Sequence, residues 1–348
     1  MANQTQNKSY PFQQVKEALL DINKPFPPKY LHGFSDISAE DLAELMKIWD
    51  RVQPNRRVAI MEDLEELEES DTLVCFDDLS KFVLGDDDPR ARAIAIRLLW
   101  ECDDQKLHLP FIDMLENDPE EIVRSAAASG LGSFISRGEL NEVKPEIHRK
   151  VEDTLLKCLD GQDTILVRRR CLESLGFSSS KKIHSYIEEA YESDDTRWQV
   201  SALCAMGRSA DNRWQNAVVN KLYDEDEEVR FEAVRAAGEL SLSKARQPIV
   251  KLLKRADELE DDLRLAAIWS LSQIGGEKIR HFLEKIQEEC EDDDEIDFIE
   301  QAMDNLDFNQ GMVISGLFEV DEVNEDDMYE VIDISDEESD PDGDDEDS

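Results

Sequence analysis

Six arginines recur along the chain: Arg57, Arg92, Arg124, Arg168, Arg230 and Arg264. A guanidinium offers planar, paired donors that suit phosphates and carboxylates alike. A row of them could be an anion-binding ladder, or it could hold the chain's own turns together. The other chemical residues form no comparable row. The five histidines, His32, His108, His148, His184 and His281, are followed by Gly, Leu, Arg, Ser and Phe, so no His-Glu pair exists. A histidine-based metal site is not expected. Carboxylates number 83, so finding two of them close in sequence says nothing about acid–base work. A general acid or base needs a pocket and a shifted pKa. Asp292-Asp293-Asp294 lacks the spaced oxygens and turn glycine of a calcium loop and reads as a helix start. The six cysteines, at 75, 102, 158, 171, 204 and 290, contain no CxxC pair. They read as reduced, mostly buried thiols of a cytoplasmic protein. No catalytic, cofactor or metal residue is assigned on these grounds.

The elements that position the arginines repeat. Val229-Arg230, Ala233 and Ala236-Ala237-Gly238 have counterparts in Val167-Arg168, Cys171, Ser174-Leu175-Gly176 and in Val123-Arg124, Ala127, Gly130-Leu131-Gly132. Leu263-Arg264, Trp198-Gln199 and Ala91-Arg92 begin further copies, and weaker ones begin at Arg56 and Ile296. The intervals between starts are 35, 32, 44, 31, 31, 34 and 33 residues. Periods of this size mark stacked supersecondary units. The spacing places apolar residues on one helix stripe. The fifth residue is small in most copies (Ala95, Ala127, Cys171, Ala202, Ala233, Ala267), which lets helices approach closely. Aspartates before most copies suit helix N-caps, and Pro89 and Pro119 suit a first turn. A second apolar helix lies between copies. The expectation is therefore an all-α chain of about sixteen helices in antiparallel pairs, with no strand pairing. The long third interval predicts an enlarged loop or helix extension near Arg137 to Pro145.

The run D-P-x-x-x-V-R-x-x-A-x-x-A-L-G resembles the HEAT repeat, in the bacterial form often called phycobilisome-lyase-like. The resemblance covers roughly residues 38–307. It implies an α-α superhelix, a HEAT-repeat solenoid, with the second helices on the concave face. It also implies that each repeat arginine bonds its turn and the aspartate of an adjacent unit, a structural role for Arg57, Arg92, Arg124, Arg168, Arg230 and Arg264. HEAT-type hydroxylases use repeated His-Glu pairs for a di-iron centre, and this chain has none. Register also sorts the tryptophans. Trp49 and Trp198 fall on apolar stripes and Trp214 opens a second helix, so all three are expected to be packed. Trp269 aligns with Arg235 at a position that is usually solvated, and both are candidate partner contacts.

The ends differ from the middle. Residues 1–37, with Pro25, Pro27 and Pro28, read as an extended N-terminal arm, and the helix opened by Ser38 as a cap of the array over 38–307. Residues 308–348 read as an acidic tail too polar to offset its ordering entropy, hence disordered. Lys285 is the last basic residue, and residues 286–348 hold 28 acids. Of the formal net charge of -44, the first 285 residues therefore carry -16. Either value disfavours nucleic acid and anionic membrane surfaces, whose binders need Lys and Arg. No signal peptide or membrane-spanning run is visible. The expected function is a non-catalytic protein-binding scaffold or adaptor whose partner is another protein, with no cofactor. The alternative is an enzyme or chaperone-like lyase of the phycobilisome-lyase kind, since some resembling proteins attach bilins, and that would need a defined pocket. A HEAT-type DNA glycosylase would need a basic track, which the charge opposes.

Overall fold

The computed structural model describes residues 11–254, 259–276 and 278–314. These residues are helical, and no strand occurs among them. They fall into two compact units, Met1–Ala236 and Ala237–Ser348. The first unit opens with α1 (Phe12–Leu20), α2 (Ala39–Met46), α3 (Pro54–Ser70) and α4 (Asp77–Val83). It continues with α5 (Pro89–Leu98), α6 (His108–Asn117), α7 (Glu121–Glu139), α8 (Pro145–Leu159) and α9 (Ile165–Leu175). Then follow α10 (Lys181–Tyr191), α11 (Thr196–Arg208), α12 (Gln215–Lys221) and α13 (Glu227–Glu239). The second unit contains α14 (Arg246–Leu253), α15 (Asp261–Ile274), α16 (Ile279–Glu289) and α17 (Asp293–Ile314).

The eight repeat starts lie on the odd-numbered helices from α3 to α17. In the first unit these helices form a continuous layer: α3 packs on α5, α5 on α7, α7 on α9 and α9 on α11. In the second unit α15 packs on α17 in the same way. The second helices cover this layer, each against the odd helix that follows it: α6 on α7, α8 on α9, α10 on α11, α14 on α15 and α16 on α17. Side-chain caps set several starts. Ser38 caps α2, Asp88 caps α5, Thr164 caps α9 and Asp195 caps α11 by accepting backbone N–H bonds. Asp292 accepts from the amides of Asp294 at 2.9 Å and Glu295 at 3.1 Å, so the triple-Asp segment is a helix start.

The small fifth position is the tightest part of the layer. Ala95, Ala127, Cys171, Ala202, Ala233 and Ala267 are all fully buried. Two glycines mark where odd helices come closest. A Cβ on Gly132 would stand 2.9 Å from the Ser174 Oγ, and one on Gly176 only 2.6 Å from the Ala205 Cα and 2.8 Å from its carbonyl oxygen. The second clash is with backbone, which cannot rotate away. Interiors packed this densely do not absorb an extra methyl without strain.

Four sequence expectations change here. The N-terminal arm is not extended. α1 and a 3₁₀ segment, Pro28–Phe34, bury Val15, Leu19, Tyr30, Leu31 and Phe34. Helical spacing between Val15 and Leu19 gives the segment an apolar stripe that outweighs its prolines. The tail does not begin at 308: residues 308–314 continue α17, whose Ile299, Ala302 and Leu306 are fully buried. No proline stops that helix, and the rest of the acidic tail lies outside the described residues. Trp198 is half-buried rather than core, because it lies at the edge of the layer with the Arg168 guanidinium over its ring at 5.5 Å. The enlarged third interval is a helix extension, α7 running 19 residues to Glu139. Trp49 and Trp214 are buried.

Gly176→Ala is expected to lower stability by about 1–3 kcal/mol, the usual cost of overpacking. Gly85→Ala, whose new Cβ would meet nothing closer than 3.8 Å, should melt near the parent. Paired urea titrations of the two variants check this, and equal stabilities would mean that α9 and α11 are not in close contact.

Candidate functional site: the arginine ladder and the exposed face of the repeat helices

Each repeat arginine is held by oxygens of its own chain. The Arg92 Nε and Nη2 donate to the two oxygens of Asp118 at 3.1 and 2.9 Å, while Nη1 donates to the carbonyls of Asp86 and Asp87. Arg124 does the same one repeat on: Asp163 accepts two bonds at 2.9 Å, and the carbonyls of Asp118 and Pro119 accept at 3.0 Å. One guanidinium thus closes its own turn and grips the next. Bidentate charge-assisted bonds of this kind are stronger than neutral ones. Arg57 is buried against Asp86 at 3.0 Å, and Asp86 also accepts from the Trp49 indole at 2.6 Å. Arg264 reaches Glu295 at 2.5 Å in the second unit. Two members lack the carboxylate of a following repeat. Arg168 donates to the Leu159 carbonyl and lies over Trp198, while Asp195 is taken by Arg197 at 2.7 Å. Arg230 donates to the carbonyls of Asp224 and Glu225. With all six engaged, the row leaves no open ladder for a foreign anion.

The electrostatics of the ladder follow from this geometry. The Arg124 hydrogen bonds hold the Asp163 carboxyl below the usual carboxylate range, and the same bonds raise Arg124. Elsewhere the opposite occurs. Glu68 is pushed up to about 7, first by burial and then by the charges of Asp77, Glu101 and Glu65. Among the described residues, no three His, Cys, Asp or Glu side chains gather as a metal ligand set.

Trp269 is 37% exposed and tilts against Phe298, with ring centroids 6.0 Å apart. Arg235, in the first unit, ion-pairs with Glu232 at 3.2 Å. The first unit carries a further exposed cluster that the sequence did not disclose. Trp100 is 36% exposed and packs on Phe177 at 6.3 Å. These residues end repeats on α5 and α9, yet α7 lies between those helices in the layer. The rings meet because the last turns of α7 there carry Gly132 and Ser133. The Arg208 guanidinium lies 5.0 Å from the Phe177 ring centroid and donates to the Glu173 carbonyl at 3.0 Å. Glu173, itself buried, accepts from the Ser201 hydroxyl at 2.6 Å and pairs with Arg170. Arg169 donates to Ser201 at 2.8 Å, and no carboxylate lies within ion-pair distance of it among the described residues. Burial works against its charge and lowers its pKa. A signal did exist in the sequence: Phe177 and Arg208 each stand ten residues after their repeat starts.

Residues 215–303 match the family model for HEAT repeats. The chain is a HEAT-repeat protein. Among solved structures, this HEAT-repeat chain is similar to the complex of CpcE and CpcF of phycocyanin lyase from Nostoc sp. PCC7120. Identity there is 19%, coverage is 80% of this chain and 94% of that one, and the TM-score is 0.49. It is also similar to importin beta, at 16% identity, with coverage of 76% and 35% and a TM-score of 0.37. Human deoxyhypusine hydroxylase matches at 15% identity, with coverage of 85% and 96% and a TM-score of 0.34. At identities this low, no residue's role passes from those proteins to this one. A search of curated protein sequences returns no match. No helix among the described residues is long and apolar enough to cross a membrane.

Two expectations test the ladder and its surroundings. Asp163→Asn should cost about 1–3 kcal/mol at neutral pH, the scale of a lost charge-assisted bond. The Asp163 pKa is depressed on folding, so its contribution is present above the ordinary carboxylate pKa and disappears as pH falls through the lowered value. The gap between wild type and variant in urea unfolding should therefore close in acid. Glu68 has the opposite sign. Its folded pKa of about 7 lies above the ordinary value of 4.5, so it penalises the fold as pH rises through 7. Glu68→Gln should raise the melting temperature at pH 8 and change it little at pH 5.

Proposed function

We propose that this protein is a non-catalytic protein-binding scaffold whose partner lies across the exposed face of the odd-numbered helices. The observation that carries the reading is the cluster of Trp100, Phe177 and Arg208 beside Arg169 in the first unit. Half-exposed aromatics and arginines are the residue types that most often anchor an interface. Here they sit on helices locked by buried ion pairs, so little ordering is lost when a partner arrives. Arg169 brings an uncompensated charge to the edge of that aromatic surface. The fitting partner is a protein segment that offers an apolar side chain to the Trp100–Phe177 pair and a carboxylate to Arg169. Trp269 against Phe298 offers a second anchor in the other unit. The titles of the similar structures name a complex of CpcE with CpcF, and Kap95p binding to RanGDP, so protein–protein assembly occurs among proteins of similar fold.

The test is affinity capture from native extract, quantified by mass spectrometry, with the full chain and two variants. The Trp100→Ala/Phe177→Ala double variant should retain the parent's melting temperature within a few degrees. It should lose the captured partner by about tenfold or more, the scale of interface anchors. Trp269→Ala measures the second anchor separately. A partner retained equally by all three chains would remove this face from the interaction.

A further inference from the structure

Cys171 occupies the small slot of its repeat, the place where Ala95, Ala127, Ala202, Ala233 and Ala267 stand in five others. Its neighbour across the repeat is also a cysteine. Cys158 lies one residue before the end of α8, and its thiol and that of Cys171 share a hydrogen bond. The two differ in access. Cys171 is fully buried, whereas Cys158 is half-buried and lines an open cleft of about 320 Å³ together with Thr154, Lys157, Gly161 and Asp163. The cleft gives small molecules a path to one sulfur and not the other.

The surroundings also divide the two thiols. The hydrogen bond from Cys171 lowers the Cys158 pKa, against its burial, and the charges of Arg124 and Arg168 add to the effect. The same contact and complete burial push the Cys171 thiol up. Thiolate character and access decide which cysteine an oxidant meets first.

We propose that Cys158 is an oxidation site for hydroperoxides and that Cys171 is its resolving thiol. In the first step the Cys158 thiolate attacks the peroxide O–O bond. One oxygen becomes bonded to sulfur as sulfenic acid, and the other leaves as hydroxide, or as alkoxide from an organic hydroperoxide, and takes up a proton. The Cys158 sulfur is oxidised and the peroxide reduced. In the second step the Cys171 sulfur attacks the Cys158 sulfur and an S–S bond forms. The sulfenic S–O bond breaks, and water leaves carrying the proton that Cys171 gave up. An external dithiol reverses the change by thiol–disulfide exchange. The disulfide ties α8 to α9 beside the Arg124–Asp163 pair, so oxidation braces one joint of the layer.

The full chain, reduced and freed of reductant, is treated with hydrogen peroxide, alkylated with N-ethylmaleimide and mapped by mass spectrometry. A peptide linking Cys158 to Cys171 is expected, with the loss of two thiols and a melting temperature raised by several degrees. Cys171→Ala, which installs the residue most repeats already carry, should stop at a Cys158 sulfenic acid that dimedone traps. Cys158→Ser should leave Cys171 reduced under the same treatment. The proposal is overturned if wild-type Cys158 and Cys171 both stay free while more exposed thiols react. It is equally overturned if Cys158 pairs with a different cysteine. If Cys171→Ala does not fold, the wild-type peptide map alone decides.

Discussion

The width allowed at one register position governs this molecule. Wherever an odd-numbered helix carries alanine, or a single cysteine, at the fifth place of its repeat, that residue is completely enclosed. A larger side chain there would part the helices and pull the bidentate pairs out of reach. Arg92 can grip Asp118, and Arg124 can grip Asp163, only because successive turns are brought within one guanidinium length. Close packing and charge pairing are thus not separate sources of order. The first sets the distance at which the second becomes strong.

The same spacing explains what the face of the first unit can offer. α7 is thin along its last turns, where Gly132 and Ser133 replace larger residues. Trp100 and Phe177 close over it from either side, and Arg208 extends the surface by lying against Phe177. An aromatic pair contributed by two non-adjacent repeats behaves differently from a tryptophan on one helix. Its geometry reports the spacing of three helices at once, so whatever recognises it reads the layer rather than a residue.

Much of this was legible in the sequence, and the reasons for success and failure are physical. The repeat starts, the helical class and the extension of α7 follow from periodicity, which a single chain displays openly. The engagement of Arg92 and Arg124 needed only a register and the aspartates in the next turns. The N-terminal segment was misread because its prolines drew more weight than the stripe formed by Val15 and Leu19. Trp198 carries an apolar-stripe position, yet the stripe reaches the edge of the layer at that turn, where Arg168 covers the ring. The Trp100–Phe177 contact could not be seen at all, because it skips a repeat and depends on what the intervening helix lacks. The same holds for Cys158 and Cys171: scanning for close spacing misses thiols that meet only when two helices pair.

Stacked repeats behave mechanically as springs in series, each loaded through its nearest neighbour. The compliance of such an array is set by its loosest joint, and its stiffness is concentrated where neighbours interlock most deeply. In the first unit that place is α7 against α9, where Gly132 receives Ser174 and the Ser174 hydroxyl donates to the Ala128 carbonyl at 2.8 Å. Tension along the layer would therefore be taken up elsewhere first. A bound protein that stretches or bends this unit would find α7 and α9 moving as one stiff plate, with the deformation passed to the joints on either side.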